Sequence, residues 1–383
     1  MRLNQCYRTS DFRKLAKRRL PAPIFHYIDG GADDEVTLGR NTAAFDSVDL
    51  VPNVLAGIKT VDLSVEVLGR KLDMPLFMSP TAMQRLFHHD GELALARTAE
   101  QLGTMFGVST IGTRSIEELG ATSTAPKLFQ IYVHKDPGLT TSLIERCREA
   151  KFDALALTVD TIVAGNRERD YLTGMTTPPR LTPKSLLSFM THPRWTFNYL
   201  ARKKFELPNI SSTVNQGSKQ QSSVVDYINQ QLMRSISWDD AAKMITEWGG
   251  PFAIKGVMSI DDARRAVEVG ASAIMISNHG GRQLDGSRAP FDQLPAIVDA
   301  VGGEIEIIMD GGIRRGTHVL KALAMGATAC SGGRLYLYAL AAAGTSGVLR
   351  AMSLLRSEME RDMLLMGCHS IAGLQRSMLA ARP

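Results

Sequence analysis

From residue 75 onward, short apolar runs ending in a polar residue or glycine alternate with longer stretches whose apolar positions recur at helical spacing. The runs are PLFMSP (75–80), MFGVS (105–109), KLFQIYV (127–133), ALALTVD (154–160), PFAIKG (251–256), AIMISN (273–278), EIIMDG (306–311) and ATACSG (327–332). Between most of them lie segments such as GELALARTAEQLG and SIDDARRAVEVG, with Asp or Ser at several starts and Gly at the ends, as helix capping prefers. Continuously apolar strands are buried on both faces, and alternation with helices makes them parallel. The pattern predicts an α/β fold, a (β/α)8 TIM barrel. A doubly wound open sheet is the alternative, but it would carry GxGxxG after an early strand, and the chain has none.

Two segments depart from this rhythm. Residues 1–74 precede the first strand, with a helix expected near 10–28 that ends at the glycines of YIDGGADDE. Residues 161–237 form a long insertion after strand four, within which 211–223 is poor in apolar residues and expected to be mobile. The expected organisation is one domain over 1–383: N-terminal extension 1–74, barrel 75–374 and basic insertion 161–237.

The 383 residues are 44% hydrophobic and 22% charged, which excludes a disordered, collagenous or coiled-coil chain. Cys6, Cys147, Cys330 and Cys368 are widely spaced, which speaks against a disulfide framework or a metal site and fits a reducing, cytoplasmic compartment. No run approaches the ~18 apolar residues of a membrane span, so any membrane contact is expected to be peripheral. The formal net charge of +5 raises the question of nucleic acid. Between 171 and 225, however, Arg180, Lys184, Arg194, Arg202, Lys203, Lys204 and Lys219 face Glu206 alone. The basicity is therefore local, and no nucleic-acid motif accompanies it. Its mixture with Phe189, Trp195, Phe197, Tyr199 and Phe205 suits a segment resting on an anionic membrane surface.

In such barrels chemistry sits at the C-terminal ends of the strands. Strand four ends in Thr158 and Asp160, strand five in Lys255, and strand six in Ser277 followed by His279, two glycines and Arg282. Strand seven ends in Asp310-Gly311-Gly312-Ile313-Arg314 and strand eight in Gly332-Gly333-Arg334. Gly-rich turns at these last two ends expose N–H groups where barrels bind phosphate, and Arg314 and Arg334 add donors. His279 with Arg282 can pair a base with a carboxylate clamp. Lys255, at the end of an apolar strand, must meet an anion; charge stabilisation of a cofactor and Schiff-base chemistry both remain open. Tyr132 and Gln130 alternate in FQIYV and should point to the same side of the mouth. Tyr27, Tyr132, Asp160 and Arg167 are individually unremarkable.

Taken together, SNHGGRQLD, LTVDT with Gly165-Asn166-Arg167, FQIYV, HYIDGGADDE and MDGGIRRGTHVLKALAMGA resemble the FMN-dependent L-2-hydroxy-acid oxidising family, in order from about Asp11 to Leu374. THPRW, SISWDD and LYALAAAG are most similar to its bacterial respiratory L-lactate dehydrogenases. The resemblance implies FMN as cofactor and L-lactate oxidised to pyruvate. It implies His279 as base, Asp160 supporting its imidazolium, Tyr27, Arg282 and Arg167 holding the substrate carboxylate, and Tyr132 bonding the reacting oxygen. Lys255 would stand beside the flavin. Pro80, Thr81, Ala82, Ser109, Gln130, Thr158 and Ser277 would contact its ring and ribityl chain. Asp310, Gly311, Gly312, Arg314, Gly333 and Arg334 would form the ribityl and phosphate site. A respiratory quinone or cytochrome as acceptor, a homotetramer and a peripheral place on the cytoplasmic side of the inner membrane follow from the same likeness. Two positions differ within the family. Ile111 replaces the Trp of glycolate oxidase, and Ala82 stands where the compared lactate and mandelate dehydrogenases tend to have Gly. The first puts glycolate specificity in doubt and the second leaves the electron acceptor open, so an O2-reducing oxidase is one alternative; an (S)-mandelate dehydrogenase, which shares part of the pattern including an insertion at the same place, is the other. With about 74 residues before strand one, no N-terminal haem domain is expected.

Overall fold

The computed structural model describes residues 1–175, 182–201, 205–210 and 232–382. Its centre is a closed eight-stranded barrel: β1 (Leu76–Met78), β2 (Phe106–Ser109), β3 (Lys127–Ile131), β4 (Ala154–Thr158), β5 (Phe252–Val257), β6 (Ala273–Ile276), β7 (Glu306–Asp310) and β8 (Ala329–Gly332). Every neighbouring pair is parallel, and β8 closes onto β1 through Cys330 opposite Leu76. All eight apolar runs become barrel strands, because a strand covered by side chains inside and helices outside has no polar face to interrupt the run.

Inside the barrel, Phe77, Leu128 and Met275 pack among alanines 154, 156, 253, 273 and 329. The hairpin of Val65–Val67 and Arg70–Leu72 plugs the lower end with Val67, Leu68 and Leu72, and Glu306 Oε2 accepts from the Leu68 N–H at 2.8 Å. Ser115, Asp136, Ser237 and Ser259 cap the helices that follow them, and Gly103 and Gly249 end two helices in the left-handed region.

The single helix expected near 10–28 is two: α1 (Thr9–Arg19) and α2 (Ala22–Asp29). Leu20 is extended (φ −98°, ψ 139°) because Pro21, which lacks an N–H, also disfavours helical geometry in the residue before it. The strand Leu379–Ala381 pairs antiparallel with Val48–Leu50, joining the far end of the chain to the extension.

Among the described residues of the insertion lie three helices, α3 (Glu168–Thr173), α4 (Pro183–Met190) and α5 (Pro193–Ala201). Trp195 donates to the Leu86 carbonyl at 2.7 Å and fastens α5 to the loop after β1. The polar stretch 211–223 lies outside the described residues, as do Arg180, Arg202, Lys203, Lys204 and Lys219.

Candidate active site

The barrel mouth opens into a cavity walled by the ends of β1, β2, β5, β7 and β8, the loop after β6, and Tyr27 of α2. Its described lining carries Lys255, Arg167, Arg282, Arg314 and Arg334 against one carboxylate, Asp310. Such an excess of guanidinium groups in a half-enclosed space is an anion receptor before any ligand is named.

On one side stands His279, whose Nδ1 lies 3.1 Å from Asp160 Oδ1. That contact orients the ring and leaves Nε2 for a substrate. His279 itself sits at φ +56°, an uncommon backbone conformation for a non-glycine, held by its N–H donating to Ser277 Oγ at 3.2 Å. Asp160 Oδ2 is buried without a partner, and the Asp160 carbonyl is fixed by Gln283 Nε2 at 3.0 Å. Two guanidinium groups approach the Tyr27 ring, Arg282 at 5.0 Å and Arg167 at 5.3 Å. Arg282 also donates to the Tyr27 carbonyl at 2.6 Å. Burial and then the neighbouring Arg167 pull Arg282 down to about 10, so the pair gains from an intervening anion. Tyr132 faces the same space, its phenol pushed well above the usual tyrosine range by burial and by Asp160.

Deeper in, Lys255 Nζ meets Asp310 Oδ2 at 2.5 Å and Ser277 Oγ at 2.8 Å. Asp310 Oδ1 accepts from Ser331 Oγ at 2.8 Å and also from Ser79 Oγ. Burial would raise this carboxyl, but the ammonium and the hydroxyls hold it below the usual range. Ser109 donates to Gln130 Oε1 at 2.8 Å, while Gln130 Nε2 and Thr158 Oγ1 are buried with no partner. Pro80, Thr81 and Ala82 form another wall, and Tyr336 binds Thr81 Oγ1 at 2.7 Å and the Ser79 carbonyl at 2.6 Å. At the opposite end Gly312 has φ +73°, and a Cβ there would stand 1.9 Å from the Asn41 carbonyl. Arg314 is kept near by its donation to the Ile313 carbonyl at 2.7 Å, and Gly333 lies beside Thr81.

This donor set fits FMN. A buried amide N–H and hydroxyl without partners, next to an ammonium, match a ring edge rich in nitrogen and oxygen. The Gly311–Gly312 turn with Arg314 and Arg334 matches a phosphate. Gln130, Thr158, Ser277 and Asp160 stand next to residues that line the cavity: Gln130 is bonded to Ser109, Ser277 to Lys255 and Asp160 to His279, and Thr158 lies opposite Lys255 in the β4–β5 register. Arg334 serves the fold as well, donating to the carbonyls of Ile28 (2.9 Å), Gly280 (2.7 Å) and Gly30 (2.7 Å).

Several contributors carry no signal in the chain. Asn41 and Asn278 exchange amide hydrogen bonds at 2.8 and 2.7 Å across 237 residues, pinning the extension to the His279 loop. Phe87 stacks on Tyr27 at 6.2 Å and, with Val163 and Leu232, adds apolar wall beside Ile111. Only Asn278, inside SNHGG, sat in a motif that could have pointed to it.

The FMN-dependent dehydrogenase family model matches residues 16–381. The chain is 41% identical over 373 residues to an L-lactate oxidase of Nostoc sp. (strain PCC 7120 / SAG 25.82 / UTEX 2576), covering 96% of each chain. It is 40% identical over 370 residues to an L-lactate dehydrogenase of Pectobacterium atrosepticum, covering 96% of this chain and 95% of the relative. Among solved structures, the monotopic membrane protein (S)-mandelate dehydrogenase superposes with a TM-score of 0.93 at 32% identity, covering 99% of this chain and 100% of that one. Barrel, anion-receiving mouth and whole-chain likeness agree: this chain belongs to the FMN-dependent dehydrogenases, flavoenzymes that oxidise 2-hydroxy acids.

Proposed function

We propose that this protein oxidises L-lactate to pyruvate and passes the electrons to a respiratory quinone or cytochrome. The observation that carries the substrate class is the Arg282–Arg167 pair facing Tyr27 beside the His279–Asp160 contact, which seats a carboxylate next to a base. Ile111, Val163 and Leu232 leave an apolar space suited to a small alkyl group.

In this reading Lys255, Ser109, Gln130, Thr158 and Ser277 hold the isoalloxazine, and Arg314, Arg334 and the Gly311–Gly312 turn hold the phosphate. Asp310 pairs with the buried Lys255 ammonium and so offsets the cost of placing that charge in the interior. Bound FMN supplies the two-electron sink. Arg282, Arg167 and Tyr27 fix the substrate by its carboxylate, and Tyr132 bonds the oxygen on the reacting carbon. His279 takes a proton from the substrate, and the Asp160 carboxylate stabilises the imidazolium that forms. His279→Ala should retain FMN and lose flavin reduction; a variant reduced by substrate at the normal rate would remove His279 from the role of base.

Support for a peripheral place on a membrane comes from α4 and α5, which expose Leu187, Met190, Phe197 and Leu200; the cytoplasmic face of the inner membrane belongs to the same proposal. No helix among the described residues is long and apolar enough to cross a membrane. Homotetramer formation belongs to the same proposal and is checked by light scattering. An O2-reducing oxidase is the second reading, favoured by Ala82 in the cavity wall. Anaerobic reduction with a panel of L- and D-2-hydroxy acids, then mixing with O2 or a quinone, decides: rapid reoxidation by O2 rejects the respiratory acceptor, and absent reduction by L-lactate rejects the substrate.

A further inference from the structure

A second cavity, of about 420 Å³, lies outside the catalytic mouth, between the end of α1, the 85–89 segment after β1, and the α4–α5 corner of the insertion. Arg18, Arg19, Arg85 and Arg194 line it together with His88, His89 and His192, and its described lining has no Asp or Glu. Asp90, just outside this lining, accepts from the Thr345 N–H at 2.9 Å and hydroxyl at 2.8 Å and lies 3.6 Å from His88 Nδ1 and 3.3 Å from His89 Nε2, while Glu92, Glu118 and Glu206 act on Arg85 from behind the wall. One wall is aromatic: Trp195 and Tyr199 stack at 5.2 Å, and Phe205 and Phe87 complete it. The ceiling is anchored by the Trp195 indole on Leu86 and by His192 Nδ1 on the Ser188 carbonyl at 2.6 Å.

We propose that this cavity binds the phosphate headgroup of an anionic phospholipid. Four guanidinium groups on three separate elements converge on a space whose described lining holds no carboxylate, which is a receptor for a multiply accepting anion rather than for a neutral ring. Trp and Tyr are the side chains that sit where an apolar phase meets a polar one. Leu187, Met190, Phe197 and Leu200, on the helices that form the cavity's corner, are 59 to 77% exposed and offer the surface along which acyl chains would leave. The inference rests on the membrane reading above and sharpens it. The lipid is gripped by one discrete pocket built partly from α1 and the barrel, not by a diffuse basic loop. Phe87 belongs to both cavities and stacks on Tyr27, so the gripped headgroup sets the catalytic mouth at a fixed height over the bilayer.

The test uses FMN-loaded enzyme and monomeric dihexanoyl phosphatidylglycerol, with dihexanoyl phosphatidylcholine and inorganic phosphate as comparators. Binding is read from Trp195 fluorescence, with Trp195→Phe identifying the signal. Phosphatidylglycerol should bind more tightly than either comparator. Arg19→Gln/Arg194→Gln should weaken it by about tenfold for each guanidinium removed. Asn198→Glu, which places a negative charge in the lining, should weaken it in the same direction, and substrate-driven flavin reduction should be unchanged in all three. Equal binding of the two lipids, binding of inorganic phosphate as tight as that of the anionic lipid, or unaltered binding in both charge variants overturns the proposal. Partition of the enzyme onto vesicles of mixed phosphatidylglycerol and phosphatidylcholine is measured in parallel. If it persists while the cavity fails, the membrane reading stands alone. If monomeric lipid binds without vesicle partition, the cavity stands and the membrane reading falls.

Discussion

Replacing Asp160 by Asn removes one negative charge 3.1 Å from His279 Nδ1 while keeping shape and an acceptor oxygen. Two unit charges at that distance interact by about 5 kcal/mol at an effective dielectric of ~20. The His279 side chain is 26% exposed and that of Asp160 13%, so water screens part of this. About 2.5–3 kcal/mol is a reasonable remainder, roughly a hundredfold in rate if a full imidazolium develops in the transition state. Because Gln283 holds the Asp160 carbonyl at 3.0 Å and the Val163 carbonyl at 2.8 Å, the backbone should stay in place. The assay is anaerobic stopped-flow bleaching of the flavin by a 2-hydroxy acid. The limiting rate should fall about a hundredfold while the substrate Kd changes little, since Arg282 and Arg167 are untouched. A limiting rate within threefold of the parent, or a loss residing wholly in Kd, would refute the argument that Asp160 acts through charge on His279.

Three further outcomes follow from the same geometry. Lys255→Met strands a buried Asp310 and should destabilise the fold by about 3–5 kcal/mol, with Lys255→Met/Asp310→Asn recovering part of it in urea titrations; an unchanged midpoint would contradict the pairing. His318, stacked on Phe45 at 4.3 Å, is held down to about 4 by burial, whereas in the unfolded chain it protonates near 6.5. Between those values the unfolded state binds the extra proton, so stability should decline by up to about 3 kcal/mol as pH falls from 6.5 to 4, and His318→Gln should flatten that decline in pH-dependent urea midpoints. Gly312→Ala forces a Cβ onto the Asn41 carbonyl at positive φ, and should cost about 2–3 kcal/mol and lower the bound flavin, measured by absorbance ratio and melting temperature.

The barrel was legible because burial on both faces writes each strand as an unbroken apolar run, and the strand ends announced themselves by placing Lys255, His279 and Asp310 where a packed core has no use for charge. What escaped depends on partners far away in the chain. Nothing near Asn41 indicates Asn278, and nothing near Phe87 indicates Tyr27. Arg334 was legible as an anion donor, but its three carbonyl acceptors lie on turns whose positions only the closed fold defines. The break between α1 and α2 had a local cause in Pro21 that the apolar periodicity across 10–28 obscured.

The Arg334 rivet also bears on how the enzyme is made. Its guanidinium joins Ile28 to a residue 306 positions later, and Gly30 to one 304 later. During synthesis, Tyr27 and the turn after it emerge early and cannot take up their places until the ribosome has passed residue 334 of 383. The catalytic mouth is thus among the last parts of the molecule to be completed, after the strands that carry it have closed. A complete flavin site is therefore expected only late in synthesis, and a chain stalled before β8 would lack both the strand that closes the barrel and the Gly333–Arg334 half of the phosphate site.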